Sequence, residues 1–181
     1  SMVARRFGLD RPTGIELPNE TRRMIVPTKE WKRQRGLGHW YRGDDANLAI
    51  GQGFLRVTPL QMACMVASLA RREIRTRPTL IHQEGANTMR IRSASRPMAL
   101  PEGSYRRIIN GMYQAAQIGT ARLVRIPGFS IAAKTGTAQV RAANKNLTLA
   151  WFVGFAPVED PEIALAVVVE GTDPDDDYAG G

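Results

Sequence analysis

Cysteine, histidine, lysine and long apolar runs are all scarce in this chain, and each shortage narrows what it can do. Cys64 is the single cysteine, which excludes an internal disulfide framework and a thiolate metal cluster. Its neighbours, TPLQMACMVASLA, read as a buried helix, so Cys64 is expected to be a core thiol. His39 and His82 stand apart, neither with a metal-binding or triad partner nearby in sequence, and both are expected at the surface. No metal or organic cofactor is expected. No stretch is long and apolar enough for a transmembrane helix, and no signal peptide opens the chain. The opening Ser1-Met2 has the look of a cloning remnant before an internal sequence. Acids are sparse in the middle: Gly51 to Lys145 holds fifteen Lys or Arg against three acids. From Asn146 onward the balance reverses, with eight acids and no Lys or Arg. The net charge of +8 is mostly scattered arginine, with no nucleic-acid module signature and few aromatics, so a solvated arginine face is expected and nucleic acid is not. The acidic run Asp173 to Asp177 lacks the ligand spacing of a calcium loop and reads as a mobile tail over 172–181.

What is present fits one domain, or a piece of a larger one, with 43% hydrophobic residues to build a core. Residues 1–50 read as irregular and turn-rich, with one short helix around Thr28–Arg33. Thr58-Pro59-Leu60-Gln61 is a helix start: Thr as N-cap, Pro at the first position, Gln at the third. Met62 to Ala70 is apolar nearly all round, as in a helix packed between layers. Gly51 and Gly53, just before it, would let the backbone pass close to another element. Residues 74–101 read as short strands or a hairpin around Glu84–Asn87. Ser104 is expected to cap a second helix with Tyr105, Ile108, Ile109, Met112, Tyr113 and Ala116 along one face and Gly119 as its stop. The last third reads as three strands: Phe129 to Val140, Thr148 to Ala156 and Ile163 to Glu170. The third, IALAVVVE, is apolar on both sides and is expected to be a central strand covered on both faces. The fold class is therefore α/β of the α+β type, an antiparallel sheet flanked by helices.

Within the first of these strands, Lys134-Thr135-Gly136-Thr137 carries the chemistry. Alternation places Lys134 and Gly136 on one face and Thr135 and Thr137 on the other. If the strand is an edge, its outward N–H and C=O groups can accept a peptide as an extra strand. Gly136 removes a side chain that would block that approach. A backbone N–H there can stabilise a tetrahedral oxyanion, Lys134 supplies positive charge, and the threonine hydroxyls can donate to a substrate carboxylate. The Lys-Thr-Gly core matches the third signature of penicillin-binding proteins and serine β-lactamases. The companion S-x-x-K is absent: the four lysines are Lys29, Lys32, Lys134 and Lys145, and none has a serine three residues earlier. No Ser-x-Asn triad occurs either.

In order along the chain, FGLDRPTGIELPNE, PTKEWKRQR, WYRGDDANLAIGQGFLRVTPLQMA, GTARLVRIPGFSIAAKTGTAQV and AWFVGFAPVEDPEIALAVVVE resemble the C-terminal part of the class B penicillin-binding proteins. Trp40 to Ala63 favours the elongation type, penicillin-binding protein 2, over the division type. The resemblance implies a penicillin-sensitive D,D-transpeptidase that cross-links peptidoglycan through an acyl-serine. It implies a five-stranded antiparallel sheet with Lys134 to Thr137 lining the cleft. Thr137 would give its backbone N–H to the oxyanion hole, and Thr135, Gly136 and Thr137 would bind the D-Ala-D-Ala stem peptide or a β-lactam. Lys134 would tune the proton path near the middle-motif serine, with Gly119-Thr120-Ala121 at the cleft rim. The parent is expected to be anchored in the bacterial inner membrane, with this domain in the periplasm and a membrane glycosyltransferase as partner. The nucleophile is expected upstream of Phe7, and the packed helix that follows the last strand in the family is expected beyond Gly181. The chain alone is therefore expected to be inactive and to leave apolar surface uncovered. A β-lactam or muropeptide sensor and a β-lactamase on the same fold remain alternatives, as does a basic interaction domain carrying a chance KTGT.

Overall fold

Three short helices, α1 (Met2–Arg6), α2 (Lys29–Gln34) and α3 (Arg42–Ala49), occupy the first third of the chain, where an irregular stretch with one helix was expected. The computed structural model describes residues 2–81, 96–142 and 145–171. Helix α2 is the expected one; the Trp31 N–H donates to the Thr28 hydroxyl at 3.0 Å and caps it. Helix α3 buries no residue, so its sequence RGDDANLA carries no apolar stripe to betray it. Its start is held instead by the Asp44 carboxylate, which accepts the Tyr41 N–H at 2.7 Å.

Helix α4 (Pro59–Ala70) begins as the sequence predicts. The Gln61 N–H donates to the Thr58 hydroxyl at 3.1 Å, and the Thr58 N–H donates to Gln61 Oε1 at 3.0 Å. Two amides without helical partners are thereby satisfied. Gln61 does more than cap. It is only 2% exposed, and its Nε2 donates to the Arg11 carbonyl at 2.9 Å and the Gly8 carbonyl at 3.3 Å. The N-terminal loop is thus tied to the helix that packs on the sheet. Two turns on, the Ser68 hydroxyl donates to the Cys64 carbonyl and accepts the Thr76 N–H at 2.7 Å, holding the chain where it leaves the helix. Cys64 is a buried free thiol as expected; burial, aided by the Glu20 charge, pushes its pKa up to about 11, so it is inert at neutral pH.

Two-residue strands β1 (Glu73–Ile74) and β2 (Arg96–Pro97) pair antiparallel, and the expected turn at Glu84–Asn87 lies outside the described residues. Helix α5 (Glu102–Gln117) starts two residues before the expected Ser104 cap. Pro101, with φ fixed near −55°, already sets the entry, and the Ser104 N–H bonds to the Pro101 carbonyl inside the first turn. Glu102 favours the positive helix start and pairs with both Arg72 and Arg106. Tyr105, Ile109 and Ala116 form the buried stripe, whereas Ile108, expected in it, is 41% exposed because it lies one residue, roughly 100°, off that face.

Strands β3 (Ala132–Ala142), β4 (Lys145–Ala156) and β5 (Ile163–Glu170) form an antiparallel meander in the order β3-β4-β5. Helices α4 and α5 cover one face, where Val66, Tyr105 and Ile109 meet Ala132, Val153 and Phe155. On the other face the last turn of α5 and the turn after it pack Ala116 and Ala121 against Ala133 and Phe152 at the start of β3 and in β4. The expectation for β5 needs correction: β4 is central and β5 lies at an edge of the described sheet. Ala164 and Ala166 face the core, but Ile163 (61%), Leu165 (40%), Val167 (48%) and Val169 (47%) are exposed. The run is apolar on both sides, yet only one side has a helix against it among the described residues. The uncovered apolar surface that was anticipated is this face. Gly154 in β4 has a specific reason to be glycine: a Cβ there would sit 2.9 Å from the Ala132 carbonyl oxygen and 3.3 Å from Ala133 Cβ. It is what allows β3 to lie close along β4.

Replacing Gln61 by Ala removes the bond from the Thr58 N–H to the Gln61 side chain and both loop bonds, leaving the Gln61 N–H on the Thr58 hydroxyl, and should cost about 3 kcal/mol, summing net hydrogen-bond contributions of roughly 1 kcal/mol each. Equilibrium urea unfolding would read it; a loss below about 1 kcal/mol would mean the N-terminal loop does not depend on this residue.

Candidate active-site wall

Among the described residues β3 pairs only with β4, so the opposite side of β3 is an open edge, as the sequence reading required. The register places Lys134 opposite Val153, Thr135 opposite Phe152, Gly136 opposite Trp151 and Thr137 opposite Ala150. Lys134 and Gly136 share a face and are both exposed. Gly136 meets only Trp151 Cβ, 3.8 Å from where its own Cβ would be, so the lane beside it is unobstructed. The Lys134 ammonium folds onto the Thr135 carbonyl. Thr137 is exposed, while Thr135 is 8% exposed and its hydroxyl lies 2.7 Å from the Thr120 hydroxyl. The Gly119-Thr120-Ala121 segment thus lies behind the strand, bracing Thr135. His39, expected to be a surface residue, is exposed, and His82 lies outside the described residues. No group of three or more metal-ligating side chains forms among the described residues.

Gln52 is the contact that sequence reasoning missed. Its Nε2 donates to the Thr137 carbonyl at 2.9 Å, across a separation of 85 residues. The loop presenting it is fixed at both ends. Gly51 and Gly53 adopt φ of 79° and 78°, a left-handed conformation that costs glycine little. The Gln52 N–H closes on the Asn47 carbonyl at 2.8 Å, at the end of α3. A Cβ on Gly51 would meet nothing within 4 Å, whereas one on Gly53 would lie 3.3 Å from Asn47 Cβ, so the close approach expected of these glycines occurs at Gly53 and Gly51 serves backbone conformation alone. A polar side chain between two glycines was the available signal.

Beneath this loop, α3 is bolted to α2 by the Lys32–Asp44 ion pair at 2.7 Å, with side chains only 8% and 14% exposed. The Lys32 ammonium also lies 5.2 Å from the Tyr41 ring and 5.8 Å from the Phe54 ring, and Phe54 packs on Trp31. The Lys32 bond, then the Tyr41 N–H, hold the Asp44 carboxyl below its ordinary pKa.

An open edge strand bearing Lys-Thr-Gly-Thr, backed by two helices, is the arrangement by which this chain can be compared with known proteins. The family model described as the penicillin-binding protein transpeptidase domain matches residues 2–181. The chain belongs to this transpeptidase family. The peptidoglycan D,D-transpeptidase MrdA of Acinetobacter baumannii is 34% identical to it over 92% of the chain, which spans 27% of that protein. A penicillin-binding protein PBP2 from Helicobacter pylori, solved in complex with MreC, superposes with a TM-score of 0.73 at 30% identity, covering 91% of this chain and 30% of that one. PBP2 of Pseudomonas aeruginosa, solved in complex with WCK 5153, superposes with a TM-score of 0.72 at 33% identity, covering 93% of this chain and 38% of that one. The chain thus corresponds to well under half the length of these family members. The similarity to MrdA and PBP2 proteins agrees with the sequence reading, as does the mixed helix and antiparallel-sheet fold.

Asp44 gives a pH prediction. A depressed carboxyl pKa stabilises the folded state above its unfolded value, about 3.9, and that contribution is lost as pH falls through the folded value. The melting temperature should therefore drop on acidification through that window, and Asp44→Asn should be less stable at pH 7 but show a shallower acid limb. Parallel melting curves from pH 7 to 3 that differ by a constant offset would refute the assignment.

Proposed function

We propose that this chain is the substrate-docking and oxyanion wall of an elongation-type peptidoglycan D,D-transpeptidase whose nucleophilic serine belongs to sequence outside these 181 residues. The observation that carries the reading is the open edge of β3, with exposed Lys134, Gly136 and Thr137 lying along it. An extended stem peptide ending in D-Ala-D-Ala adds to that edge as a short strand. The serine hydroxyl attacks the penultimate D-Ala carbonyl, an acyl-serine forms, and terminal D-Ala leaves with the proton on its amine. An amine from a neighbouring stem peptide then takes the acyl group and frees the serine. The Thr137 N–H donates to the oxyanion that develops in both steps. The exposed Thr137 hydroxyl binds the terminal carboxylate, and Thr135, braced by Thr120, completes that site from beneath. Lys134 supplies the positive charge that favours both the carboxylate and the deprotonated serine. A β-lactam occupies the same lane and stops at the acyl stage.

Among the described residues no helix is long and apolar enough to cross a membrane. Anchoring in the inner membrane, a periplasmic position for this domain and a membrane glycosyltransferase partner are therefore inferred for the longer protein from its relatives. That a Helicobacter pylori relative is solved with MreC supports a place in a multiprotein cell-wall complex.

Fluorescent penicillin should leave the 181-residue chain unlabelled and should label the longer protein stably; Lys134→Ala in the longer protein should slow labelling by on the order of 10²-fold, the scale of removing one preorganised electrostatic contact. Absence of label on the longer wild-type protein would defeat the proposal. Rapid release of hydrolysed drug would make the protein a β-lactamase, and stable label without cross-linking of stem peptides would make it a sensor.

A further inference from the structure

The reactive edge of β3 has an unusual neighbour. An edge carbonyl normally turns to water or to an incoming strand, yet the Thr137 carbonyl is met at 2.9 Å by the side-chain amide of Gln52. The donor is not a wandering surface side chain. Its loop is set by two glycines with positive φ, closed on the end of α3 through the Asn47 and Leu48 carbonyls, and α3 is bolted to α2 by the partly buried Lys32–Asp44 pair. A rigid path therefore runs from α2 through α3 and the loop to a single carbonyl on the docking strand.

We infer that Gln52 is a positioning residue for the acylation step: by holding the Thr137 carbonyl it fixes the Thr137 backbone and so aims the Thr137 N–H at the developing oxyanion. This rests on the transpeptidase reading above and goes beyond it by assigning a role to a residue outside the Lys-Thr-Gly-Thr strand. The Thr137 N–H and C=O flank one Cα, so a twist of φ or ψ there turns both. On an edge strand no second ladder resists that twist, and β4 restrains β3 from one side only. Gln52 adds a restraint from the open side. A carbonyl has two lone pairs, so the Thr137 oxygen can accept from Gln52 and still accept a substrate N–H. The bond accordingly need not break when a peptide docks. Since the oxyanion exists only in the transition state, a misaimed N–H slows the chemical step while leaving initial docking almost unchanged.

The test uses the longer protein and a chromogenic or fluorescent penicillin, separating the dissociation constant of the first complex from the acylation rate constant by stopped flow. Gln52→Ala should lower the acylation rate constant by about five- to tenfold, the scale of one net hydrogen bond, with the dissociation constant changed by less than about twofold. Gln52→Glu places an acceptor-only carboxylate against the carbonyl at neutral pH, and should be slower still. Its rate relative to wild type should recover as pH falls toward about 4, where the protonated carboxyl regains a donor. A merely structural residue would not give that recovery. Wild-type rates in both variants would overturn the inference, as would a loss confined to the dissociation constant or a Gln52→Glu defect independent of pH. No acylation by the wild-type protein would instead overturn the transpeptidase reading, so the two failures are distinct.

Discussion

The pairing of β3 with β4 in a single register is the constraint on which the rest depends. With Lys134 opposite Val153 and Gly136 opposite Trp151, one face of β3 joins the helix-covered core through Ala132, and the other receives Ala116 and Ala121 on Ala133. A slip of one residue would exchange these faces, driving the Lys134 side into the Thr120 contact and Thr135 onto the side of Gly136. The buried Ala132 and Ala133, both fully inaccessible, leave no room for that exchange. Register therefore fixes which atoms of the Lys-Thr-Gly-Thr run reach the open edge, and core packing fixes the register.

The helices serve the sheet in different ways. Helix α4 lies across β4 and β5 with Val66 at no exposure, and its first turn holds the N-terminal loop through Gln61. Helix α5 follows β3 and then delivers Thr120 to the back of Thr135. The charged network on the outside, where Glu102 meets Arg72 and Arg106, is exposed and contributes little to stability by comparison. The Lys32–Asp44 pair is of another kind, with a buried lysine beside the Tyr41 and Phe54 rings and a partly buried carboxylate, and its value lies in fixing orientation more than in net free energy.

Much of this was legible in the sequence where a local rule had a local cause. Thr58-Pro59-x-Gln61 announced its helix because capping is read from four residues, and Ile163–Glu170 announced its strand because a short apolar run is bounded by turn residues. What escaped was set by distant partners. Helix α3 has no apolar stripe, so nothing in RGDDANLA distinguishes it from a loop. The exposed side of β5 reads the same as a buried side, since apolar residues announce a wish for cover without naming its source. Of the active-site wall, the strand and its open edge were readable, but the Gln52 bond joins residues 85 apart and the Thr120–Thr135 contact depends on how the turn after α5 folds back.

Gly154 carries a consequence for how this wall can vary. Because a methyl group there would press on the Ala132 carbonyl, the spacing of β3 and β4 is set by a residue outside the Lys-Thr-Gly-Thr run. A change at that position would displace β3 as a unit, shifting its open edge while every residue along that edge stayed the same.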